Sequence, residues 1–349
     1  LENNVDPTAA IFHVITLPDQ LVVILKLPNS EEILLHTTQI SQPQMEATLK
    51  TLRRELGRSY PSPSGKAIGQ QVYDWVIRPM ESLLTQNQVE TLVFVLDGSL
   101  RSVPMAALYD GQHYLIEKFA IALTPNSQLF TPQPLNRDNL TVQSFGISDF
   151  QADNPEAFPH HKNFGDLPYV TEELAQLQQY ASGNEFLNNQ FTRSALQTQI
   201  RQSAPIVHIA THGQFSSDPR ETFIVAWDEQ IDVLTLSSIL RTHQEEGATP
   251  IELLVLSACQ TAAGDDRAVL GLAGIAIQSG ARSTLSSLWV IQDQSTAILM
   301  ELFYQALNNP DTPVTRAEAL RQAQLQLMKI PGYVAPYYWA PYVMVGGWL

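Results

Sequence analysis

The sequence predicts an α/β protein with a mostly parallel central sheet covered by helices. Three observations carry that expectation. From about residue 140 onward, short apolar runs alternate with stretches of helical spacing, which is the pattern of strands joined by helical crossovers. Two of the runs, 206–212 and 253–258, are almost unbroken in apolar residues, as buried strands are. Each then ends in reactive chemistry: the first on His212-Gly213, the second on Cys259.

Composition bounds the reading. A chain of 349 residues is long enough for two domains or one large one, and 44% hydrophobic against 16% charged residues describes an ordinary globular protein. The net charge of −15 argues against a broad basic face, so neither direct nucleic-acid binding nor attachment to an anionic membrane is expected. One cysteine excludes an internal disulfide and a thiolate metal cluster, so no metal and no cofactor are expected. A lone thiol also fits a reducing, cytoplasmic setting. No apolar run reaches the ~18–20 residues of a membrane span, and the first residues do not read as a signal peptide. Because the chain starts Leu1-Glu2 without methionine, it is expected to be a piece of something longer.

In chain order, the runs 11–16, 21–27 and 32–37 are separated by Pro18-Asp19 and Pro28-Asn29 and predict an antiparallel meander. Helical spacing follows over 45–56 and 67–84, broken by the turn-rich stretch 60–65. A buried strand is expected at 89–96, closing on the turn Asp97-Gly98, and another strand or pair of strands at 115–123. The stretch 131–140, with Pro132 and Pro134, is the candidate linker.

Beyond it, strands are expected at 142–147, 185–187, 206–212, 253–258 and 283–290. Helices are expected at 171–180, 192–202, 269–278, 295–307 and 315–328. Thr315 and Glu318 form a capping-box pair that fixes the start of the last helix, and Gly280 suits the left-handed position after the helix before it. No repeat of solenoid length is visible.

The chemistry concentrates at the strand ends. In an open α/β sheet, ligands bind in the crevice at the carboxyl ends of the strands. A thiol and an imidazole meeting there make a nucleophile and its proton partner. A lone cysteine is more often a small buried hydrophobe. Cys259, however, follows an apolar strand and precedes the turn Gln-Thr-Ala-Ala-Gly, whose amides could face an oxyanion. His208 and His212 share one face of their strand. His208 lies mid-strand and reads as structural, whereas His212 stands at the end before a glycine that permits close backbone approach.

These stretches carry a family resemblance. I-V-H-I-A-T-H-G, L-V-L-S-A-C-Q-T-A-A-G, the long G-L-A-G-I-A-I-Q-S-G-A-R-S-T-L-S-S-L-W-V-I-Q-D-Q-S-T and A-P-Y-Y-W-A-P-Y-V-M-V-G resemble the CHAT domain. CHAT is a caspase-like, separase-related peptidase domain, of the clan CD type, usually attached to tetratricopeptide repeats in bacteria. The resemblance covers most of 90–347, including V-L-D-G-S-L-R-S-V-P-M-A-A-L-Y-D upstream, while 1–60 match loosely.

The resemblance implies a caspase-like three-layer sandwich at 136–349, preceded at 1–135 by a degenerate, pseudo-peptidase half. It implies a cysteine endopeptidase in which Cys259 attacks the scissile carbonyl and His212 protonates the departing amine. The backbone N–H groups of Gly213 and Cys259 would hold the oxyanion.

The strand ending in Ser287 and Trp289 would pair with the substrate backbone. Trp289 would wall a pocket, though a tryptophan there serves a core equally well. In the separase-like branch, an acid near Asp293 reads a basic side chain at the cleaved position; helix capping by Asp293 is the competing expectation. Expected partners are a protein or peptide substrate and a tetratricopeptide-repeat region or other regulatory partner. The alternative reading is a catalytically silent caspase-like interaction module acting as a docking platform. A nucleotide-binding domain is disfavoured, since no strand–helix turn carries a phosphate-binding glycine pattern.

Overall fold

The structure is a computed structural model. It describes residues 6–125, 133–135, 140–150, 161, 164–202, 205–216, 218, 221–245, 250–257, 260–261, 277 and 280–349. The chain forms two compact units, one of Leu1–Pro134 with Val314–Leu349, the other of Leu135–Pro313.

The first unit opens with the expected meander, β1 (Ala9–Thr16), β2 (Gln20–Lys26) and β3 (Ile33–Gln39), paired antiparallel in sequence. Period-two alternation buries Phe12 and Val14 of β1 and Leu21, Val23 and Leu25 of β2 on one face. Helix α1 (Gln42–Leu56) buries Met45, Leu49, Leu52 and Leu56 at helical spacing, and α2 (Pro63–Val76) packs beside it.

The helix expected over 67–84 is not continuous. Pro79 supplies no N–H and restricts Arg78, so the chain leaves α2, makes a 3-10 turn at Arg78–Met80 and restarts as α3 (Glu81–Gln86). Strand β4 (Thr91–Leu96) follows. The strand expected from 115 begins instead as a helical turn, α4 (Leu115–Lys118), because the Glu117 carboxylate accepts from the Tyr114 N–H and fixes a helix start. Only Ala120–Leu123 (β5) is extended. Linker residues 131, 132 and 136–139 lie outside the described residues.

The second unit starts at β6 (Val142–Gly146), then α5 (Tyr169–Tyr180), β7 (Glu185–Leu187), α6 (Arg193–Arg201) and β8 (Ile206–Ala210). Three short strands follow, β9 (Gly213–Phe215), β10 (Phe223–Val225) and β11 (Gln230–Asp232), then α7 (Val233–Glu245). After β12 (Leu253–Leu256) and β13 (Gln260–Thr261) come β14 (Ser283–Ser287) and α8 (Asp293–Leu307). The helix expected at 269–278 lies outside the described residues apart from Ile277.

The last elements return to the first unit: α9 (Arg316–Leu327), α10 (Pro336–Trp339) and β15 (Tyr342–Gly346). Thr315 caps α9 by accepting from the Glu318 N–H at 3.1 Å, as expected. Here β15 pairs parallel with β5, giving the order β3-β2-β1-β4-β5-β15.

In the second unit the strand order is β14-β12-β8-β6-β7, every described pairing parallel. Alternation along β8 shows why this sheet carries helices on both faces. Val207 and Ile209 enter a core with Leu196 and Ile200 of α6 and Leu236 and Ile239 of α7. His208 and Ala210 point the other way, to α5 and α8: Ala210 packs on Val170 and Leu174, and His208 bonds to Glu173 and Tyr304. That is a three-layer sandwich. A small second sheet, in the order β11-β10-β9-β13, grows from the ends of β8 and β12.

Candidate functional site

The first residues past β8 are Thr211 and His212. The Thr211 hydroxyl donates to the Val225 carbonyl at 2.8 Å, and the Val225 N–H donates to the His212 carbonyl at 2.8 Å, so β10 holds this backbone in place. Gly213 opens β9 and is buried.

The imidazole of His212 is held just as firmly. It stacks on Phe164 with centroids 5.0 Å apart and meets Phe150 at 4.9 Å. Its Nε2 lies 2.7 Å from the Gly165 carbonyl oxygen. A carbonyl only accepts, so Nε2 carries the ring proton and Nδ1 keeps its lone pair. Burial lowers the His212 pKa, and the Gly165 carbonyl partly opposes that shift. The imidazole is therefore neutral at pH 7 and able to take a proton at Nδ1.

Ala258 and Cys259 lie outside the described residues; Ser257 before them and Gln260 after them do not. In the β8–β12 pairing Leu256 is partnered with Ile209, and the Ser257 N–H donates to the Ile209 carbonyl at 2.9 Å. On the far side, Gln260 of β13 is paired with Gln214 of β9. The chain on either side of Cys259 is thus fixed against the chain on either side of His212.

Next to His212 lies a cavity of about 90 Å³, whose polar lining among the described residues is Glu173, His212, Ser257, Ser287, Asp293 and Thr296. Two of the expected substrate residues, Asp293 and Ser287, are therefore brought together with His212. Trp289 is buried, at 8% exposure, and is not part of that lining.

Asp293 is not the cap of its own helix. Gln292 takes that position, and Asp293 is the first residue of α8. Its Oδ2 instead accepts from the Tyr169 N–H at 2.8 Å, serving the start of α5, where Pro168 offers no side-chain cap. Burial pushes the Asp293 carboxyl up to about 6; the Tyr169 bond opposes this, and the negative charge of Glu173 adds to it.

Glu173 was not among the expected site residues. It is 1% exposed, and its Oε1 accepts from His208 Nε2 at 2.9 Å and from the Ser257 hydroxyl. A signal for it existed: Val170, Glu173, Leu174 and Leu177 share one face of α5, which puts a carboxylate on the buried stripe. Phe150, Phe164 and the Gly165 carbonyl had no comparable sequence signal. Among the described residues, no three His, Cys, Asp or Glu side chains gather as a metal set, and no helix is long and apolar enough to cross a membrane.

A parallel sheet between two helical layers, with a histidine fixed at a strand end beside a cavity, defines the class: a caspase-like α/β fold of the cysteine-peptidase type. Solved structures agree on that fold. The Arg-specific cysteine proteinase gingipain R is 10% identical, covering 88% of this chain and 74% of its own, with a TM-score of 0.51. Separase of Saccharomyces cerevisiae, solved with securin, is 9% identical with a TM-score of 0.53; the match covers 97% of this chain and 30% of separase. No curated protein matches in sequence. Residues 66–347 match the CHAT domain, and the chain belongs to the CHAT domain family.

Proposed function

We propose that this chain is a cysteine endopeptidase working through a dyad of Cys259 and His212. The observation that carries the reading is the pairing on both sides of the dyad. Ile209 is matched with Leu256 before the dyad and Gln214 with Gln260 after it, so the segments that carry His212 and Cys259 join the same pairs of strands. Adjacent strands run ~4.8 Å apart, and this adjacency of the flanking segments is what supports a dyad at one sheet edge.

The thiol proton passes to His212 Nδ1 as Cys259 Sγ forms its bond to the scissile carbonyl carbon. The imidazolium then returns the proton to the amine as the C–N bond breaks. Water hydrolyses the thioester, giving its hydroxyl to the acyl group and its proton to the sulfur. The N–H groups of Gly213 and Cys259 hold the oxyanion through both steps. His212 needs no carboxylate to orient it, because the Gly165 carbonyl sets its tautomer.

Asp293 and Ser287 contact the substrate from the cavity, while Trp289 supports the strand that pairs with the substrate backbone. The division into a pseudo-peptidase half, 1–135, and a catalytic half, 136–349, belongs to the same reading. So do a peptide or protein substrate, a tetratricopeptide-repeat region or regulatory partner, and a cytoplasmic setting.

Labelling with a peptide acyloxymethyl ketone tests the chemistry. The expected result is one covalent adduct on Cys259, lost in His212→Ala. No adduct in the presence of any peptide sequence or activating partner supports the silent docking module instead.

A further inference from the structure

The sheet of the first unit is covered unevenly. On the face that carries Ile11 and Ile15 of β1, Ala317 of α9 and Trp348 pack with Val93 of β4 and with Ala120 and Ala122 of β5. Ile11 sits at the margin of that cluster, and among the described residues the cover ends there. Ile15 is exposed. Register carries the same face outward, from His13 to Ile24 of β2 and on to Leu35 of β3, and from Lys26 to Ile33. Ile33 is 66% and Leu35 65% exposed, although both belong to an apolar sheet face.

Strand β3 is also the end of its sheet, and among the described residues its outer side pairs with nothing. Edge strands are normally guarded by a charged side chain, a proline or a bulge. The segment I-L-L-H-T-T-Q holds no acid, lysine, arginine or proline, and it pairs with β2 from Ile33 to Gln39 without a bulge. Its outward N–H and C=O groups form a regular row, which another strand can satisfy in full.

We propose that β3 is a dimerisation edge. Two copies of this chain pair β3 with β3, antiparallel across a two-fold axis, and join their meanders into one continuous sheet. The surface lies wholly within the first unit, so the inference stands apart from the peptidase reading.

A second copy suits this edge better than an unrelated strand does. A two-fold axis brings identical strands together antiparallel, the sense already used between β1, β2 and β3. Centred on Leu35, the pairing sets Leu35 against Leu35 and Ile33 against Thr37, so the apolar stripe through Ile24 and Leu35 crosses into the other copy.

Charge is arranged to permit this contact. Each copy carries a net −15, but the acids nearest the edge, Glu31 and Glu32, precede β3. The same register puts them opposite Gln39 and Thr38 of the other copy. The acids of the two copies then stand ~20–25 Å apart along the strands, well beyond the ~8 Å screening length at physiological salt.

Area sets the strength. The strand edge with Ile33, Leu35 and their neighbours would bury roughly 500–600 Å² on each copy, or ~1,000–1,200 Å² in all, the small end of specific interfaces. A dissociation constant in the micromolar range is expected.

Sedimentation velocity of the 349-residue chain between about 1 and 200 µM reads the assembly directly. The expected result is a monomer–dimer equilibrium, with amide exchange at 33–37 slower in the dimer than in the monomer. Leu35→Lys puts a guarding charge at the centre of the contact and is expected to weaken the dimer at least about tenfold. The unfolding midpoint should stay with the parent, because that side chain is exposed. Ile33→Lys serves as the second variant should the first fail to fold. Added salt should leave the dimer intact or tighten it, since it screens two copies of like charge. A chain that stays monomeric at about 200 µM overturns the proposal and leaves the face to a different partner. So does a dimer that neither substitution weakens, or one that salt dissociates.

Discussion

Asp293→Asn removes an acid whose carboxyl is raised by burial and further by the charge of Glu173, and the sign of the resulting pH dependence is fixed in advance. The carboxyl is pushed from the ordinary 3.8 up to about 6. For a fully enclosed group that difference would correspond to ~3 kcal/mol. Solvent still reaches the half-buried Asp293 and screens its charge, which brings the figure to ~1 kcal/mol.

A raised carboxyl pKa means that the folded protein binds the proton more tightly than the unfolded chain does. The contribution is fully present below pH ~4 and is lost as pH rises through about 6. Asparagine has no such titration, and its side-chain oxygen can still accept from the Tyr169 N–H. The variant should therefore match its parent near pH 4 and gain on it steadily up to pH 7. The gain corresponds to an unfolding midpoint higher by about 2–4 °C per kcal/mol for a unit of this size. Thermal unfolding of both proteins across pH 4–8 reads the difference directly, because all other titrating groups are common to both. A difference that is flat with pH, or falls as pH rises, refutes the account of Asp293 as a strained acid beside Glu173.

Three further outcomes are expected. Cys259→Ala should abolish peptide hydrolysis while unfolding stability stays within about 0.5 kcal/mol of the parent, and a large loss of stability would make the thiol a packing residue instead. Gly146→Ala should destabilise by about 1–3 kcal/mol in denaturant unfolding, because a Cβ there would stand 2.6 Å from Val170 Cγ1 and 2.9 Å from Leu174 Cδ1. An unchanged midpoint would mean that α5 moves away freely. Tyr304→Phe should cost about 1–3 kcal/mol by leaving His208 Nδ1 without its hydroxyl partner, and a neutral result would show that a water takes the place of the hydroxyl.

The parallel half of the fold was legible because its strands are buried on both faces and read as apolar runs. Helix α9, in the first unit, was legible because Thr315 and Glu318 spell a cap. The small sheet and α7 were not, since strands as short as Phe223–Val225 and Gln230–Asp232 are too brief to show a period. At 67–84 the apolar spacing outweighed Pro79, although one proline was enough to break the helix. His212 was visible because a strand end and a glycine flank it. Glu173 was hidden in the pair Glu172-Glu173, where charge alone does not tell which carboxylate faces solvent. Only the positions of Val170, Leu174 and Leu177 distinguish them, and that requires treating a charge on the buried stripe as information.

The division of labour around His212 follows from what each group is bonded to. Two acids line the same cavity as the imidazole, and either of them, bonded to it, would favour the imidazolium and remove the base from use near neutral pH. Among the described residues neither acid does so: Glu173 is occupied by His208 and Ser257, Asp293 by the Tyr169 N–H, and His212 Nε2 by the Gly165 carbonyl. A neutral carbonyl orients the ring without supplying the full charge that would hold a second proton on it, so burial prevails and the pKa falls. The two carboxylates are thereby confined to the cavity wall. The neutral imidazole stays free of both at the strand end, although all three side chains line one space of about 90 Å³.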